Sequence, residues 1–201
     1  MQTNTNRIFL RGRMAARPAL SHANHGVDYF TFPLAVRRLS GAEDRLNIVA
    51  SREQLERLPL CEDGPIAVYG EVRTFNNRSG VGSRLVVSVF ARTLAQDEGE
   101  DENRLELSGT LCKPPILRAT PLGRTICDMI LAVNRRYGRA DYLPCIAWGS
   151  LAYRCGAMEV GDRLSLEGRL QSRTYTKEID GQPQERTAFE VSVMSLAADD
   201  T

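Results

Sequence analysis

An internal duplication constrains the fold of this chain more than any other feature of its sequence. The pattern Asn-Arg-x-x-Leu-x-Gly that begins at Asn6 recurs 97 residues later, from Asn103. Self-similarity at a fixed offset indicates that one structural unit occurs twice. The same offset relates Leu34–Val36 to Leu131–Val133. Small insertions widen the offset towards the end of each repeat, where Gly70 matches Gly168 and the pattern Leu85, Val87, Val89 matches Phe189, Val191, Val193.

The duplication divides the chain into residues 1–94, an acidic linker at residues 95–102, and residues 103–197. The linker carries five acidic residues, and its only apolar side chain is Ala95. A segment with nothing to bury is expected to be a solvated tether. The net charge of +1 hides this division, since residues 1–94 carry +5, the linker −5 and residues 103–201 +1.

Each repeat predicts five strands and one short helix. Apolar and polar residues alternate from Ile8 and again from Leu105, as in a half-buried strand. Ser51 and Gln54 form a capping-box pattern before a helix, and Ser150 precedes a shorter helical stretch. The expected further elements are strands at 29–38, 46–50 and 66–75 with a helix at 52–58, then strands at 125–136, 142–148 and 163–175 with a hairpin turn at Asp180-Gly181, and a fifth strand ends each repeat.

Five strands with a helix between the third and the fourth are the order of the OB-fold. This partly open Greek-key barrel commonly binds oligonucleotides or oligosaccharides. The predicted fold class is therefore all-β, with two tandem five-stranded OB barrels and one short helix in each. Fold alone does not determine function, which has to be argued from the side chains.

Composition and motifs exclude several classes of protein. With 42% apolar and 25% charged residues, the chain has the composition of a folded globular protein. It has no apolar run near the roughly 20 residues that cross a bilayer, and its start lacks a signal-peptide pattern. We therefore expect a cytoplasmic protein with no membrane partner. The absence of a P-loop and of a nucleophile elbow argues against an enzyme.

No metal or cofactor site is predicted. The only two histidines, His22 and His25, have no carboxylate or thiolate partners in a ligand pattern nearby. The five cysteines form no C-x-x-C pair, and their odd number argues against a closed disulfide framework. We expect free, buried thiols at Cys61, Cys112, Cys127, Cys145 and Cys155.

Aromatic and cationic residues are interleaved along the strands predicted for the second repeat. Any base offers a face to a ring, while cations follow the phosphates, so this combination is typical of single-strand nucleic-acid binding. Packing in the core is the alternative, because Tyr142 and Trp148 share one strand face that could point inward. The candidate stacking rings are Tyr137, Tyr142, Trp148 and Tyr175, and the candidate phosphate contacts are Arg118, Arg135, Arg136, Arg169, Arg173 and Lys177.

The motifs of the second repeat resemble those of the bacterial single-stranded DNA-binding protein family in order and spacing. The resemblance implies that the rings at Tyr137, Tyr142, Trp148 and Tyr175 stack on DNA bases, because the family has aromatics at the matching positions. The motifs run Asn103-Arg104-x-x-x-x-Gly109-x-Leu111, Pro115-x-x-Arg118-x-Thr120-x-x-Gly123, Leu131 to Tyr137, Asp141-Tyr142-x-x-Cys145-Ile146-Ala147-Trp148, Gly161-Asp162 and Glu167 to Tyr175.

The first repeat keeps the scaffold but has Ser40, Arg45, Ser51 and Asn77 at the positions of the four rings. The aligned positions leave Phe75 as the one candidate ring nearby. This repeat either guides phosphates or supplies an assembly surface, and its arginines are equally compatible with solvated strand edges. Its possible DNA contacts are Arg37, Arg38, Arg45, Arg73 and Phe75.

The resemblance implies non-enzymatic, sequence-tolerant binding and protection of single-stranded DNA in replication, recombination or repair. The family assembles four OB-folds, which implies a homodimer of two-barrel chains, with an internally paired monomer as the alternative. The family's acidic recruiting tail has no recognisable counterpart in Ala-Ala-Asp-Asp-Thr at residues 197–201. The alternative function is an OB-fold assembly or accessory module of primosomal or recombination type, with weak DNA contact. Stacking ignores the sugar, so DNA and RNA both stay open.

Overall fold

In a computed structural model of the chain, residues 5–58, 64–77, 84–135, 138–179 and 181–197 are described, and strands predominate among them. The predicted all-β class is confirmed. The elements are β1 (Asn6–Met14), β2 (Ala19–Asn24), β3 (Val27–Arg37), β4 (Glu43–Ser51), α1 (Arg52–Glu56), β5 (Pro65–Asn76), β6 (Leu85–Gln96), β7 (Glu102–Leu111), β8 (Ile116–Ala119), β9 (Thr125–Asn134), β10 (Ala140–Trp148), α2 (Ser150–Gly156), β11 (Arg163–Ile179) and β12 (Gln182–Leu196).

The strands of the first repeat follow the order β1-β5-β6-β4-β3 and close into a barrel where β3 pairs with β1. β4 and β6 run parallel, whereas β1 and β5, and β3 and β4, run antiparallel. The second repeat has the same plan, with the order β7-β11-β12-β10-β9, closure of β7 on β9, and a parallel pair of β10 and β12. Both repeats therefore have the strand order of the predicted OB-fold.

Alternating side chains form the core of each barrel. Along β3, Phe32, Leu34 and Val36 are buried at every second position. Because successive side chains of a strand point to opposite faces, the intervening residues lie on the outside of the barrel. On β9, buried Cys127, Met129, Leu131 and Val133 show the same alternation.

Two short strands were not predicted. β2 and β8 pair antiparallel with β3 and β9 respectively. All of their residues are exposed, so they lack the apolar alternation by which the other strands were recognised. Each is an added outer strand next to a five-stranded barrel.

The first helix begins where the sequence indicates, whereas the second begins at Ser150 itself and not after it. The capping box is present, because the Ser51 N–H donates to Gln54 Oε1 at 2.8 Å and the Gln54 N–H donates to Ser51 Oγ at 3.3 Å. The second helix, at seven residues, is longer than the first, at five, so the prediction of a shorter helical stretch there is wrong. It follows Gly149, whose φ of 58° favours glycine.

The register of the last strand of each repeat differs from the sequence alignment by two residues. Ile48 pairs with Val89 in the first repeat, and its equivalent Cys145 pairs with Val191 in the second. Val89 therefore corresponds to Val191, where the alignment had placed Val193. A slip of two residues preserves which side chains face inward, and the alternation alone does not reveal it.

The described chain groups into two compact units. One comprises Arg7–Arg73 and Val86–Arg104, and the other comprises Met1–Asn6, Thr74–Leu85 and Leu105–Thr201. The end of β5 thus groups with the strands of the second repeat.

The acidic linker is mostly exposed, but it is not a tether without contacts. Arg11 Nε lies 3.0 Å from Asp97 Oδ2, and the Arg37 N–H donates to Asp101 Oδ2 at 2.6 Å. A hydrogen bond from the Gly99 N–H lowers the pKa of Asp97, with a further lowering by Arg11. Counting apolar side chains alone missed these contacts with neighbouring arginines.

The cysteines described by the structure are free. Cys127, Cys145 and Cys155 are buried as expected, Cys112 is half-buried, and Cys61 lies outside the described residues. Burial raises the pKa of Cys155 to about 11 and also raises the pKa of Cys127 and Cys145.

The described helices include none with the length and hydropathy of a membrane span.

Candidate nucleic-acid interface

Two of the predicted stacking rings lie on the outside of the second barrel. Along β10, Leu143, Cys145 and Ala147 are buried, whereas Tyr142 is 52% exposed and Trp148 is 38% exposed. Tyr142 and Trp148 therefore point away from the core, so the alternative that these rings pack inside the barrel does not apply. Six residues of strand separate them by about 20 Å, enough to offer separate stacking positions.

A cation lies in the same row of side chains as Trp148. Trp148 pairs with Ile126 on β9, and Ile126 pairs with Arg118 on the outer strand β8. Arg118 Nε donates to Asp128 Oδ2 at 2.5 Å, and this hydrogen bond raises the pKa of the guanidinium. The Arg118 side chain remains half exposed, so its other nitrogens can bind a phosphate.

The third described ring, Tyr175, lies on β11 beside Arg173. The Arg173 guanidinium carbon is 5.5 Å from the centroid of the Tyr175 ring, within the range of a cation–π contact. Arg173 also approaches Glu190 at 3.7 Å but is 56% exposed. A ring and a cation are thus placed together on one strand, as stacking with phosphate contact requires.

Arg169 lies on the same outward side of β11 as Arg173. Arg169 pairs with Ser192 on β12, which pairs with Ile146 on β10. Among the described residues, Arg169 Nε has no hydrogen-bond partner although the atom is buried. A buried donor without a partner is uncommon and is consistent with a ligand at this position. We call the outward surface formed by Arg118, Tyr142, Trp148, Arg169, Arg173 and Tyr175 the stacking face.

Arg135 has a different environment. Its Nε donates to Asp141 Oδ2 at 2.6 Å, its Nη2 donates to Asp141 Oδ1, and its Nη2 also donates to the Thr74 carbonyl at 2.9 Å. Asp141 is 0% exposed and also accepts from the Thr74 N–H at 2.5 Å. This network holds Arg135 in place and gives it a structural role.

Three of the predicted contacts cannot be placed completely. Tyr137 and Arg136 lie outside the described residues. Lys177 lies on β11, but its side chain is not among those described. These three stay predictions.

Most of the arginines predicted for the first repeat are paired with acids. Arg38 donates to the buried Asp44 at 2.7 and 2.5 Å, which repeats the pairing of Arg135 with Asp141. Arg45 lies 3.2 Å from Glu43, and Arg73 pairs with Glu71. Arg37 is exposed at the end of β3, and Phe75 is exposed near the end of β5.

The first repeat carries rings that the sequence comparison overlooked. The His22 and Tyr29 rings stack with centroids 5.0 Å apart and an interplanar angle of 14°, and the Phe90 ring follows at 5.5 Å from Tyr29. We call His22, Tyr29 and Phe90 the ring ladder. Tyr29 lies an odd number of residues from the buried Phe32 and Leu34, so its side chain is on the opposite, outward face of β3. This alternation could have identified Tyr29 from the sequence.

The comparisons with known proteins centre on the second repeat. A sequence model described as the single-strand binding protein family matches residues 102–197. The second repeat of this chain belongs to that family. The single-stranded DNA-binding protein A of Bacillus subtilis is 36% identical over 80 residues, which cover 36% of this chain and 46% of that protein.

Similarity to proteins of Thermus extends over both repeats. A single-stranded DNA-binding protein of Thermus thermophilus is 26% identical over 206 residues, covering 88% of this chain and 78% of that protein. The crystal structure of the wild-type single-stranded DNA-binding protein of Thermus aquaticus superposes with a TM-score of 0.78 and 25% identity, covering 100% of this chain and 95% of that one. The match with the Listeria innocua and Bacillus subtilis proteins spans only about half of their length.

Proposed function

We propose that this protein binds single-stranded DNA without sequence preference and protects it in the cytoplasm during replication, recombination or repair. The observation that carries the proposal is the outward placement of Tyr142 and Trp148 on β10, with Arg118 in the same row as Trp148. Rings that already face solvent offer stacking surfaces without any rearrangement of the core. Membership of the second repeat in the single-strand binding protein family supports the same conclusion.

Each part of the stacking face has a distinct task. Tyr142, Trp148 and Tyr175 stack on bases, and each stacked base contributes about 1–3 kcal/mol. Arg118, Arg169 and Arg173 bind the phosphates, since Arg118 lies in the row of Trp148, Arg173 lies beside Tyr175, and Arg169 lies on the same outward side of β11 as Arg173. We assign Arg135 to holding Asp141 instead, because a guanidinium committed to a buried carboxylate has few donors left. This mechanism involves no chemical reaction.

We further propose that two chains associate as a homodimer that supplies four barrels. Each chain contains two barrels, so two chains supply the four OB-folds that the resemblance to the single-stranded DNA-binding protein family implies. The expected native mass is about twice the 22.4 kDa of one chain.

Fluorescence of Trp148 tests the proposed function directly. Trp148 is the only tryptophan, so its emission reports on the stacking face alone. Titration with poly-dT is expected to quench it, and the double variant Trp148→Ala with Tyr175→Ala is expected to bind poly-dT more weakly by about 2–6 kcal/mol. The affinity of the double variant is measured by anisotropy of labelled poly-dT.

The exposed Tyr153 on α2 provides a matched control, because Tyr153→Ala removes a ring outside the stacking face. Its affinity is expected to equal that of the unmodified protein. Unchanged Trp148 emission at low salt would refute the proposal. Retained DNA affinity with a lost oligomer in the double variant would instead favour the assembly or accessory module.

A further inference from the structure

We infer that the ring ladder of the first repeat is a second base-stacking site for single-stranded DNA. The inference rests on the proposed function and extends it to a surface at which the aligned aromatic positions are absent. His22, Tyr29 and Phe90 come from three different strands of one compact unit, β2, β3 and β6. Their contacts therefore depend on the fold and are not apparent from neighbouring positions in the sequence.

Strand pairing shows why the rings meet in the first repeat. Tyr29 on β3 pairs with Ser51 on β4, and Phe90 on β6 pairs with Val49 two residues before Ser51. β4 lies between β3 and β6, so the Tyr29 and Phe90 rings reach each other across it. The small Ser51 side chain leaves the space that this contact needs.

The second repeat has the reverse arrangement of large and small side chains. Trp148 stands at the position of Ser51 and pairs with Ile126, which stands at the position of Tyr29. Ser192 pairs with Ile146 and stands at the position of Phe90. Both barrels thus carry aromatic area at the same place on their outer surface, supplied by β10 in one and by β3 and β6 in the other.

The geometry of the ladder suits a base at its outer end. His22 and Tyr29 are nearly parallel, and His22 is exposed on the outer strand β2. A base can add a further layer on the free face of His22 at an ordinary ring spacing. The half-buried Tyr29 and Phe90 support that layer from below.

A cation lies at the Phe90 end of the ladder. The Arg92 guanidinium carbon is 5.5 Å from the centroid of Phe90, and Arg92 is 57% exposed although it pairs with Glu71. Arg52 lies over Phe30 and beside Asp28, on the other face of β3 from Tyr29, and is not part of this site. Arg92 retains exposed donors that can bind a phosphate of a strand that crosses the ladder. Rings with adjacent cations are the combination by which single strands are held.

Photocrosslinking of the full chain to an oligo-dT that carries 5-iodouracil tests the inference. Crosslinked peptides identified by mass spectrometry are expected to include those of His22 or Tyr29 as well as those of Trp148 or Tyr175. Crosslinks confined to the second repeat would overturn the inference and leave the proposed function intact. A failure of the proposed function is recognised separately, because poly-dT would then leave the Trp148 emission unchanged.

Two substitutions test the contribution of the ladder to affinity. His22→Ala and Tyr29→Ser are each expected to weaken poly-dT binding about fivefold or more, while Trp148 quenching at saturation is retained. Tyr69→Ala is the matched control, since Tyr69 is a 54% exposed ring of the same repeat that contacts Phe9 outside the ladder. If Tyr29→Ser unfolds the protein, the exposed His22→Ala decides, and wild-type affinity of His22→Ala would overturn the inference.

Discussion

The carboxylate of Asp141 is completely buried, and Arg135 and Thr74 are among the residues that donate to it. Arg135 supplies charge-assisted hydrogen bonds, and the N–H and hydroxyl of Thr74 supply further ones. A buried charge is tolerated only when it is paired and hydrogen-bonded on every side. Because Arg38 and Asp44 form the same pair in the first repeat, the pair belongs to the structural plan of both barrels.

Removal of the Asp141 charge is expected to destabilise the protein strongly. Asp141→Asn leaves the Arg135 guanidinium without its counter-charge, and breaking a buried pair in this way costs about 3–5 kcal/mol of unfolding free energy. Urea denaturation followed by circular dichroism measures the loss.

The control for this substitution is Asp128→Asn, which breaks the half-exposed pair with Arg118. Exposed pairs contribute about 0–1 kcal/mol, so this variant should remain close to the wild type in unfolding free energy. Equal losses in the two variants would contradict the structural role given to the buried pair.

At the scale of elements, glycine permits two strands to approach closely in the second barrel. β11 pairs first with β7 and then with β12, and its register with β12 shifts between Glu167 and Gly168. A Cβ at Gly168 would lie 2.3 Å from the carbonyl oxygen of Ser192. Bulges of this kind bend a strand, and glycine marks them where another backbone comes near.

Gly168→Ala is therefore expected to lower the unfolding free energy by roughly 1–3 kcal/mol, because backbone has to move to relieve the overlap. Gly156→Ala is the matched control, since the nearest atom to its Cβ would be the Leu117 Cδ1 methyl at 3.3 Å, a side-chain and not a backbone atom. Thermal unfolding compares the two variants, and an unchanged Tm for Gly168→Ala would show that the close approach is not required.

Elements with a strong sequence signal were predictable, and those without one were not. The alternation of apolar residues and the Ser51–Gln54 capping box predicted the main strands and α1. The exposed strands β2 and β8 present no such alternation, since none of their side chains is buried in a core. The two-residue slip of Val89 relative to Val191 was invisible because it leaves the alternation unchanged.

The candidate site shows the same limit. Tyr142, Trp148 and Tyr175 were predicted as stacking rings because they occupy positions at which a known family has aromatics. The ring ladder was missed because aligning the sequence with a family tests one position at a time. His22, Tyr29 and Phe90 are far apart in the sequence and come together only when their strands pair.

At the scale of the whole molecule, the net charge of +1 is a poor guide to DNA binding. Many of the described arginines are paired with acids, so the cations available to phosphates are fewer than the sequence total. The proposed function therefore depends on stacking together with a few phosphate contacts, and the salt dependence of binding should be modest.

The dependence of affinity on salt tests this balance. Each phosphate contact on a single strand contributes about −0.7 to the slope of log K against log salt concentration. Arg173→Ala is expected to reduce the magnitude of the slope by about 0.7. Poly-dT titrations at several salt concentrations measure it.

Arg57→Ala serves as the control for the salt experiment, because Arg57 is an exposed arginine next to α1 that pairs with Glu53. It lies outside both the stacking face and the ring ladder, and its slope should match that of the wild type. A slope that Arg173→Ala leaves unchanged would remove Arg173 from the phosphate contacts.

The reversed placement of large and small side chains on the two barrels has a consequence for comparing proteins of this kind. The aromatic area on this part of a barrel surface depends on three adjacent strands together. In the second barrel Trp148 supplies it and the neighbouring strand has Ser192, whereas in the first barrel Tyr29 and Phe90 supply it and the strand between them has Ser51. An alignment column records a loss at Ser51, although the surface around it has kept its rings. When a binding motif is missing from the aligned positions of a duplicated domain, the folded surfaces of the two copies are therefore a better basis for comparison than the alignment.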